Sequence, residues 1–319
     1  MTRTHSPAGP APVVALDVGG THIKGAVLAP DGTLLHAESA DTQADRGPDA
    51  AIDSTFAFAR RLAERFGPAA VGIAVPGIVD EGSGTCRFSA NLGWRDVPVR
   101  DRAEIELGLP VALGHDVRAG AIAEARLGAG RDCDSFLFLP IGTGIAGGIV
   151  LGGRALTGRH NVAGEVGHLV VRPDGPSCRC GARGCLEAVA SASAIARRYR
   201  ELAGLSPVER VSAEQVQQRA QAGDEVAVRV WRDAVLALAD GLVTVVTLLD
   251  PQRVVIGGGL SRAGSALLDP LYAALTERLT FQTRPELVPA ELGHRAGSLG
   301  AGLLALDLLH AADPVGERA

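Results

Sequence analysis

The sequence predicts an α/β protein of two domains in which one strand–turn–strand unit occurs twice. Its 319 residues are too many for one compact core and suggest about two domains. Short apolar runs typical of strands alternate with longer segments of helical periodicity. A glycine-containing hairpin occurs near the start and again about 120 residues later. Such a repeat favours a duplicated architecture in which each half supplies one hairpin.

The first hairpin turns at two adjacent glycines. An apolar run at residues 13–18 breaks there and resumes at residues 23–28, which predicts a strand, a tight turn and a second strand. Glycine lets backbone N–H groups approach an anionic oxygen, and a neighbouring carboxylate suits phosphate-bound Mg²⁺. An ordinary Gly-Gly hairpin turn is the alternative. The predicted nucleotide-binding residues of this turn are Asp17, Gly19, Gly20, Thr21 and Lys24.

Lys24 is the only lysine in the chain, since every other residue of the Lys and Arg count is an arginine. An ammonium is a compact charge on a flexible stem, whereas a guanidinium is a broad planar fork. A turn closed on phosphate oxygens therefore favours lysine. Chance retention of one lysine would give the same count.

The composition favours a protein that acts on small molecules. A net charge of −5, a pI near 5.9 and the lack of a basic run argue against nucleic acid or an anionic membrane as the main partner. The apolar stretch at residues 234–249 is shorter than a membrane span and contains Asp240, so it predicts a buried helix. Residues 1–12 lack a signal pattern and are expected to form a loose tail. A cytoplasmic protein is expected.

The second hairpin has the same plan as the first. Residues 136–141 and 147–151 predict two strands around a turn formed by Gly142, Thr143 and Gly144. With one such turn in each half, the halves would close on a nucleotide between them. This pattern predicts a second phosphate-binding loop.

A third glycine cluster follows a predicted strand at residues 253–256. It consists of Gly257, Gly258 and Gly259, and it suits contact with the base or ribose of a nucleotide. Helices are predicted at residues 48–66, 119–127, 224–249 and 265–279. The predicted domains are residues 13–118 and 119–296, and a C-terminal helix at residues 297–311 is expected to return to the first domain.

A histidine and three cysteines have the spacing of a metal site. His168, Cys178, Cys180 and Cys185 would form a tetrahedral Cys₃His zinc site, and intervening glycines permit a tight knuckle. Four protein ligands leave no position for an activated water, so the zinc is predicted to be structural. Chance clustering is the alternative. Glu165 and Glu187 flank the ligands and would form a rigid wall suited to a neutral polyhydroxy substrate.

Asp116 is the remaining candidate for catalysis. It follows a short predicted strand at residues 111–113 and precedes a predicted helix. Phosphoryl transfer to an alcohol needs one carboxylate that accepts the hydroxyl proton. An aspartate at the start of a helix is also a common N-cap, and both roles remain open from the sequence.

Several motifs together resemble the ROK family of sugar kinases, whose best-known member is bacterial glucokinase. The resemblance extends from about Val13 to the C-terminal helix, and the cysteine segment is its most specific part. The motifs are DVGGTHIK at residues 17–24, NLGW at 91–94, Asp116, GTG at 142–144, EVGH at 165–168 and CRCGARGCLE at 178–187.

The resemblance implies an actin-like (ribonuclease H-like) two-domain ATPase fold with a zinc knuckle in the second domain. It implies ATP, catalytic Mg²⁺ and structural Zn²⁺, and an assembly of two or four copies. Asp116 aligns with the catalytic base, and His168 would bind zinc through one ring nitrogen and a sugar hydroxyl through the other. The expected sugar contacts are Gly77, Asn91, His115, Asp116, Glu165, His168 and Glu187.

Two features depart from the family pattern. The family usually has asparagine before the catalytic aspartate, and His115 stands there in this chain. The preferred sugar hydroxyl is therefore open. Repressors of the family carry a DNA-binding helical domain ahead of the first glycine turn, whereas Asp17 comes near the start here. A repressor role is not expected.

The expected function is phosphorylation of a hexose by ATP, most simply of glucose to glucose 6-phosphate. N-acetylglucosamine, N-acetylmannosamine, allose, fructose and a cyclitol are alternative substrates. A sugar-binding sensor without turnover is the alternative from another class. Asp17, Lys24 and Asp116 favour the enzyme.

Overall fold

The computed structural model describes residues 11–206 and 208–312, and the described chain divides into two compact units. The first unit takes the described residues up to 123, residues 157–162 and the described residues from 294 onward. The second takes residues 124–156 and 163–293. The predicted tail, residues 1–12, lies outside the described residues except for its last two. The predicted domain boundaries after residues 118 and 296 remain a prediction.

The first part of the chain forms a mixed five-stranded sheet of order β3-β2-β1-β4-β8. β2 runs antiparallel to both β1 and β3, while β4 runs parallel to β1 and β8. The elements are β1 (Val13–Val18), β2 (His22–Leu28), β3 (Leu34–Asp41), α1 (Pro48–Phe66), β4 (Ala70–Val75), β5 (Ile78–Asp80), β6 (Thr85–Ser89), β7 (Trp94–Val97), α2 (Val99–Leu107), β8 (Val111–His115) and α3 (Asp116–Leu127).

Helix α1 covers one face of this sheet. Its apolar positions recur at helical spacing, and Ile52, Phe56 and Ala59 are buried as the periodicity predicts. The helix begins at a proline, whose missing N–H costs nothing at that position, and it ends at a left-handed Gly67. The core between helix and sheet is closed by large buried side chains, among them Leu16, Ile23, Phe58, Leu62 and Ile73.

A small three-stranded sheet, β5-β6-β7, lies beside the main one and is absent from the sequence prediction. Its strands are only three to five residues long. Charged side chains such as Arg87 and Arg95 interrupt the apolar pattern, so periodicity gave no signal. The loop between β6 and β7 carries Asn91, one of the predicted sugar contacts.

The second unit has a mixed sheet of order β11-β10-β9-β12-β13. The pairs β11–β10 and β10–β9 are antiparallel, and the pairs β9–β12 and β12–β13 are parallel. The first sheet has the same succession of two antiparallel and two parallel pairs. The predicted duplication is therefore confirmed at the level of topology. The elements are β9 (Ser135–Pro140), β10 (Gly148–Leu151), β11 (Arg154–Ala155), α4 (Leu186–Ala190), α5 (Ala192–Leu202), α6 (Ala213–Gln221), α7 (Glu225–Leu249), β12 (Arg253–Gly257), α8 (Ser265–Arg278) and β13 (Glu286–Pro289).

Helix α7 is the main support of the second core, as its apolar length predicts. Trp231, Leu238 and Leu242 are buried among side chains of the second sheet and of α5, α6 and α8. The helix ends where Asp250 takes a left-handed conformation ahead of a proline. The shorter helices α5 and α6 were not predicted.

The final helix, α9 (Ala296–Ala312), packs on β1, β4 and β8 of the first sheet. Gly72 in β4 permits this close approach, because a Cβ there would lie 1.8 Å from the carbonyl oxygen of Ala301. Over residues 11–206 and 208–312, none of the helices is long and apolar enough to cross a membrane.

Candidate active site

The first glycine turn places Asp17 and Lys24 side by side. They are directly opposed across the antiparallel pair β1 and β2, so their side chains share one face of the sheet. Lys24 Nζ lies 3.2 Å from Asp17 Oδ2, and the Asp17 side chain is 13% exposed. The turn itself is held by buried Thr42, whose hydroxyl donates to the carbonyl of Gly19 at 2.7 Å. Gly20 and Thr21 remain exposed.

Asp17 is difficult to ionise. Burial raises its pKa from 3.8 to about 6, and the nearby charge of Asp116 adds to the rise, while Lys24 opposes both. Gly297 in α9 lies against the same carboxylate, because a Cβ there would be 2.6 Å from Asp17 Oδ2. Sequence reasoning missed Gly297, since its role depends on a helix far along the chain.

Asp116 lies at the junction of β8 and α3, where the sequence predicted it. Its Oδ1 accepts the N–H of Val117 at 2.8 Å, and Nε2 of His115 lies 3.3 Å from the same oxygen. Burial raises the pKa of Asp116, although the Val117 N–H, Arg118 and Lys24 all favour the charged form. The carboxylate is therefore shifted towards the protonated form.

An ion pair between a buried arginine and a half-buried glutamate supports this junction and was missed in the sequence. Arg118 Nε donates to Glu81 Oε1 at 2.8 Å, and its Nη2 donates to the carbonyl of Val79 at 3.1 Å. Glu81 also accepts the backbone N–H of His115 at 3.3 Å, and the N–H of Arg118 donates to His115 Nδ1 at 3.3 Å. The His115 ring is thus held between the first turn of α3, through the N–H of Arg118, and the Asp116 carboxylate. The only sequence signal was an arginine two positions after the aspartate.

Two other predicted sugar contacts lie near this turn. Gly20 packs on Asn91, because a Cβ at Gly20 would lie 3.3 Å from the Asn91 carbonyl oxygen. Gly77 follows β4 with φ of +114°, and a Cβ there would lie 2.1 Å from the carbonyl of Phe88. Glycine is therefore required at position 77 for packing, independently of any contact with a sugar.

The second unit brings two predicted glycine clusters together. Gly142 N donates to the carbonyl of Gly144 at 3.0 Å, which closes the turn and leaves Thr143 exposed. Ile141, just before the turn, exchanges bonds with the third cluster: its N–H donates to Gly257, and its carbonyl accepts from Leu260. Gly258 and Gly259 connect these two contacts, so the predicted phosphate loop and the predicted base or ribose loop are neighbours.

The Cys₃His residues also converge. The ligand atoms of His168, Cys178, Cys180 and Cys185 all lie within 4.8 Å of one another. His168 Nδ1 is 3.7 Å from Cys178 Sγ, and the sulfurs of Cys180 and Cys185 are 3.6 Å apart. A tetrahedral zinc with bonds of about 2.0 Å to nitrogen and 2.3 Å to sulfur separates its ligands by about 3.5 to 3.8 Å. The donor set and its spacing fit zinc.

The predicted wall carboxylates occupy different surroundings. Glu165 is exposed, and its Oε2 lies 3.8 Å from His168 Nε2, the ring nitrogen that faces away from Cys178. Glu187 is half-buried, and its Oε2 accepts the N–H of Ile145 at 2.9 Å. Glu187 thus follows the last cysteine in the sequence and also contacts the end of the glycine turn at residues 142–144.

The predicted residues therefore form one set in each unit, with the carboxylates of Asp17 and Asp116 in the first and the cluster of one histidine and three cysteines in the second. The set in the first unit is Asp17, Gly19, Gly20, Thr21, Lys24, Gly77, Asn91, His115 and Asp116. The set in the second unit is Gly142, Thr143, Gly144, Glu165, His168, Cys178, Cys180, Cys185, Glu187, Gly257, Gly258 and Gly259.

Known proteins resemble the chain over nearly its whole length. A sequence model of the ROK family matches residues 13–308. The chain is 38% identical over 311 residues to a glucokinase of Thermotoga maritima, covering 91% of this chain and 95% of that protein. It is 35% identical to an N-acetylmannosamine kinase of Shigella flexneri, covering 92% and 98%. A structure of a ROK family glucokinase from Streptomyces griseus in complex with glucose and AMPPNP has a TM-score of 0.81 and 32% identity, covering 93% of this chain and 100% of that one.

The mixed α/β sheets and these full-length relatives define a sugar kinase. The chain belongs to the ROK family, as the motifs in its sequence predicted.

Proposed function

We propose that this sugar kinase transfers the terminal phosphoryl group of ATP to a hydroxyl of a hexose, with glucose as the first substrate, on an actin-like ATPase fold. The observation that carries the proposal is the position of Asp116 at the end of a buried strand, near Asp17 and Lys24. Similarity to glucokinases, one of them bound to glucose and AMPPNP, supports both substrates.

Asp116 is the proposed general base. A raised pKa brings a carboxylate closer to the pKa that suits proton transfer near neutral pH. Its Oδ1 is held by Val117 and faces His115, so Oδ2 is the oxygen that accepts the proton of the attacking hydroxyl. His115, through its place beside Asp116, is a proposed contact for the sugar, together with Asn91 and Gly77.

The glycine turns are the proposed nucleotide contacts. Exposed Gly20 and Thr21 of the first turn and Thr143 of the second offer donors to phosphate oxygens, and Lys24 adds a positive charge. Gly257, Gly258 and Gly259 are proposed to contact the base or ribose. Asp17 would hold Mg²⁺ together with the phosphates, because Mg²⁺ is commonly bound by one or two carboxylates and phosphate oxygens. The ion would neutralise charge on the transferring group.

The sugar is proposed to be recognised by Glu165, His168 and Glu187. Carboxylates accept hydrogen bonds from several hydroxyls at once, and the imidazole nitrogen that faces Glu165 is not the one that contacts Cys178. The cysteines and His168 would hold structural Zn²⁺, which fixes the segment that carries all three sugar contacts. The same residue types suit an N-acetylated hexosamine, and similarity to an N-acetylmannosamine kinase favours that sugar as the second candidate.

A coupled assay tests the function. The purified protein, with Mg²⁺ and ATP, is offered glucose, N-acetylglucosamine, N-acetylmannosamine, fructose, allose and a cyclitol, and polyphosphate replaces ATP in a parallel series. The highest kcat/KM is expected for glucose with ATP. Clear sugar binding without phosphorylation of any substrate would favour the sensor, and a higher kcat/KM for another sugar would replace glucose.

A cytoplasmic location and a homodimer or homotetramer are also proposed. Light scattering coupled to size-exclusion chromatography tests the assembly, and a monomer at working concentration would contradict it.

A further inference from the structure

We propose that Glu187 positions the nucleotide-binding glycine turn as well as binding the sugar, so that one carboxylate couples the two substrates. The inference rests on the proposed function, because it takes residues 142–144 as a phosphate loop. It adds a role for Glu187 that does not need the sugar.

The first observation is the hydrogen bond from Ile145 N to Glu187 Oε2, at 2.9 Å. Ile145 is buried and directly follows the Gly142–Thr143–Gly144 turn. Its N–H has lost water, so the carboxylate satisfies a donor that would otherwise be costly to bury. A bond between an ionised acceptor and a backbone N–H is also stronger than a neutral one.

The second observation is the space that glycine leaves for this carboxylate. A Cβ on Gly144 would lie 2.4 Å from Glu187 Oε2, so Glu187 occupies the volume that any other residue would fill. Gly144 does not adopt a positive φ. The turn therefore needs glycine at this position because of Glu187 and not because of backbone conformation.

The third observation is that Ile145 also packs against the other segment proposed to bind the sugar. A Cβ on Gly167, the neighbour of His168, would lie 2.0 Å from the Ile145 carbonyl oxygen. Two further hydrogen bonds to the turn come from the start of α5, where Ala192 N donates to the carbonyl of Gly142 and Ser193 Oγ donates to the carbonyl of Thr143. The turn is thus held between α5 and the segments that would carry the sugar.

The coupling follows from the two oxygens of one side chain. Within the described part of the chain, the Ile145 N–H is the hydrogen-bond donor of Glu187 Oε2, and Oε1 is the oxygen proposed for a sugar hydroxyl. A bound sugar fixes the carboxylate, which in turn fixes the turn before nucleotide arrives. Less ordering then remains for the second ligand, which gives positive cooperativity, and the effect is reciprocal.

Calorimetry without sugar isolates the positioning role. The probe is the Mg²⁺ complex of AMPPNP, titrated into wild-type protein, Glu187→Ala and Glu165→Ala. Glu187→Ala loses one charge-assisted hydrogen bond, so we expect it to bind the nucleotide about tenfold more weakly than the wild type does. Glu165→Ala is the matched control, because Glu165 faces His168, and its nucleotide affinity is expected to equal that of the wild type.

Gly144→Ala tests the same contact without removing the carboxylate. The added methyl group is expected to displace the Glu187 side chain and to weaken nucleotide binding to a similar extent. In the Glu187→Ala background the glycine substitution should then cost little more, because the displaced group is already gone. Fully additive losses would mean that Gly144 acts on the nucleotide by itself and would overturn the proposed coupling.

Two further outcomes decide the matter. Equal nucleotide affinity in wild type and Glu187→Ala, with sugar affinity lost, would limit Glu187 to the sugar and overturn the positioning role alone. No nucleotide binding by the wild type would overturn the proposed function together with this inference. Unchanged circular dichroism and metal content in each variant distinguish these outcomes from misfolding.

Discussion

A carboxylate at the end of a buried strand is costly to ionise, and Asp116 is in this position. Its Oδ1 accepts the N–H of the next residue, Val117, whereas the side chain of a helix cap accepts from the second or third residue after it. Its raised pKa and its place near Asp17 are the features of a base. One substitution separates the two roles.

Asp116→Asn keeps the shape and an oxygen for Val117 but removes the base. We expect sugar and nucleotide to bind with nearly unchanged affinity while kcat falls by roughly 10² to 10⁴. Steady-state kinetics and calorimetry measure the two effects. A kcat close to that of the wild type would leave Asp116 with a capping role only, since asparagine caps helices about as well as aspartate.

Sequence patterns identified the residues that carry chemistry but not their partners. Asp17, Lys24 and Asp116 could be selected by their positions next to glycines and strand ends. The contact of His115 with Asp116, the ion pair of Arg118 and Glu81, and the approach of Gly297 to Asp17 could not. Each depends on which elements become neighbours in the fold, and local sequence patterns do not show this.

At the scale of elements, the segment that carries the three cysteines is short and irregular. We expect a bound metal, and not side-chain packing alone, to hold it in one conformation. Cys180→Ser removes one proposed zinc ligand. We expect bound zinc to fall well below one equivalent, and the segment at residues 168–185 to become sensitive to protease, because structural zinc contributes about 10 kcal/mol or more to such sites. Metal analysis and limited proteolysis measure both.

Cys133→Ser is the matched control for this change. Cys133 is a half-buried thiol outside the cluster, so its loss is expected to leave the zinc content unchanged. Full zinc content in Cys180→Ser would contradict the proposed ligand set.

Long periodic segments were predicted well, and short ones were not. Helices α1, α7 and α9 and the strands of both glycine hairpins lie within a few residues of their predicted bounds. The strands β5 to β7 and the helices α2, α5 and α6 were missed. Helix α2, for example, has charged residues on most of its surface and buries only Val99 and Ala103, so its formation depends on tertiary packing.

At the scale of the whole molecule, the buried Asp17 carboxylate affects stability as well as activity. Between pH 3.8 and about 6 the native state retains a proton that the unfolded state has released. The free energy of unfolding due to this group therefore falls as pH rises through that range, and above it the ionised carboxylate destabilises the fold.

Asp17→Asn removes the ionisation, so we expect it to raise the free energy of unfolding at pH 7.5. The gain is about 1 to 3 kcal/mol by linkage, less what the contact with Lys24 contributes, and it should shrink towards pH 4. Urea unfolding at both pH values measures it, and activity is expected to be lost in the same variant. A loss of stability at pH 7.5 would contradict the raised pKa.

Asp80→Asn is a control of opposite sign. Bonds from Ser83 and Arg87 lower the pKa of Asp80 to about 2, so its ionised form stabilises the fold at neutral pH. The substitution is expected to lower stability slightly at pH 7.5.

The repeated glycine hairpin predicted that the two halves share one architecture, because a hairpin is encoded locally; the parallel neighbours of each hairpin lie far along the chain and were not predicted. The assignment of residues 157–162 to the first unit was not predicted. That segment is a loop without apolar periodicity, and a single sequence carries no signal for its neighbours.

The single lysine has a practical consequence for anyone who handles the protein. Amine-selective reagents, which attach dyes, cross-linkers or solid supports to scattered lysines on most proteins, find only one lysine side chain here. That side chain is 43% exposed and lies beside Asp17. Among the side chains, labelling would therefore fall on the proposed nucleotide site alone.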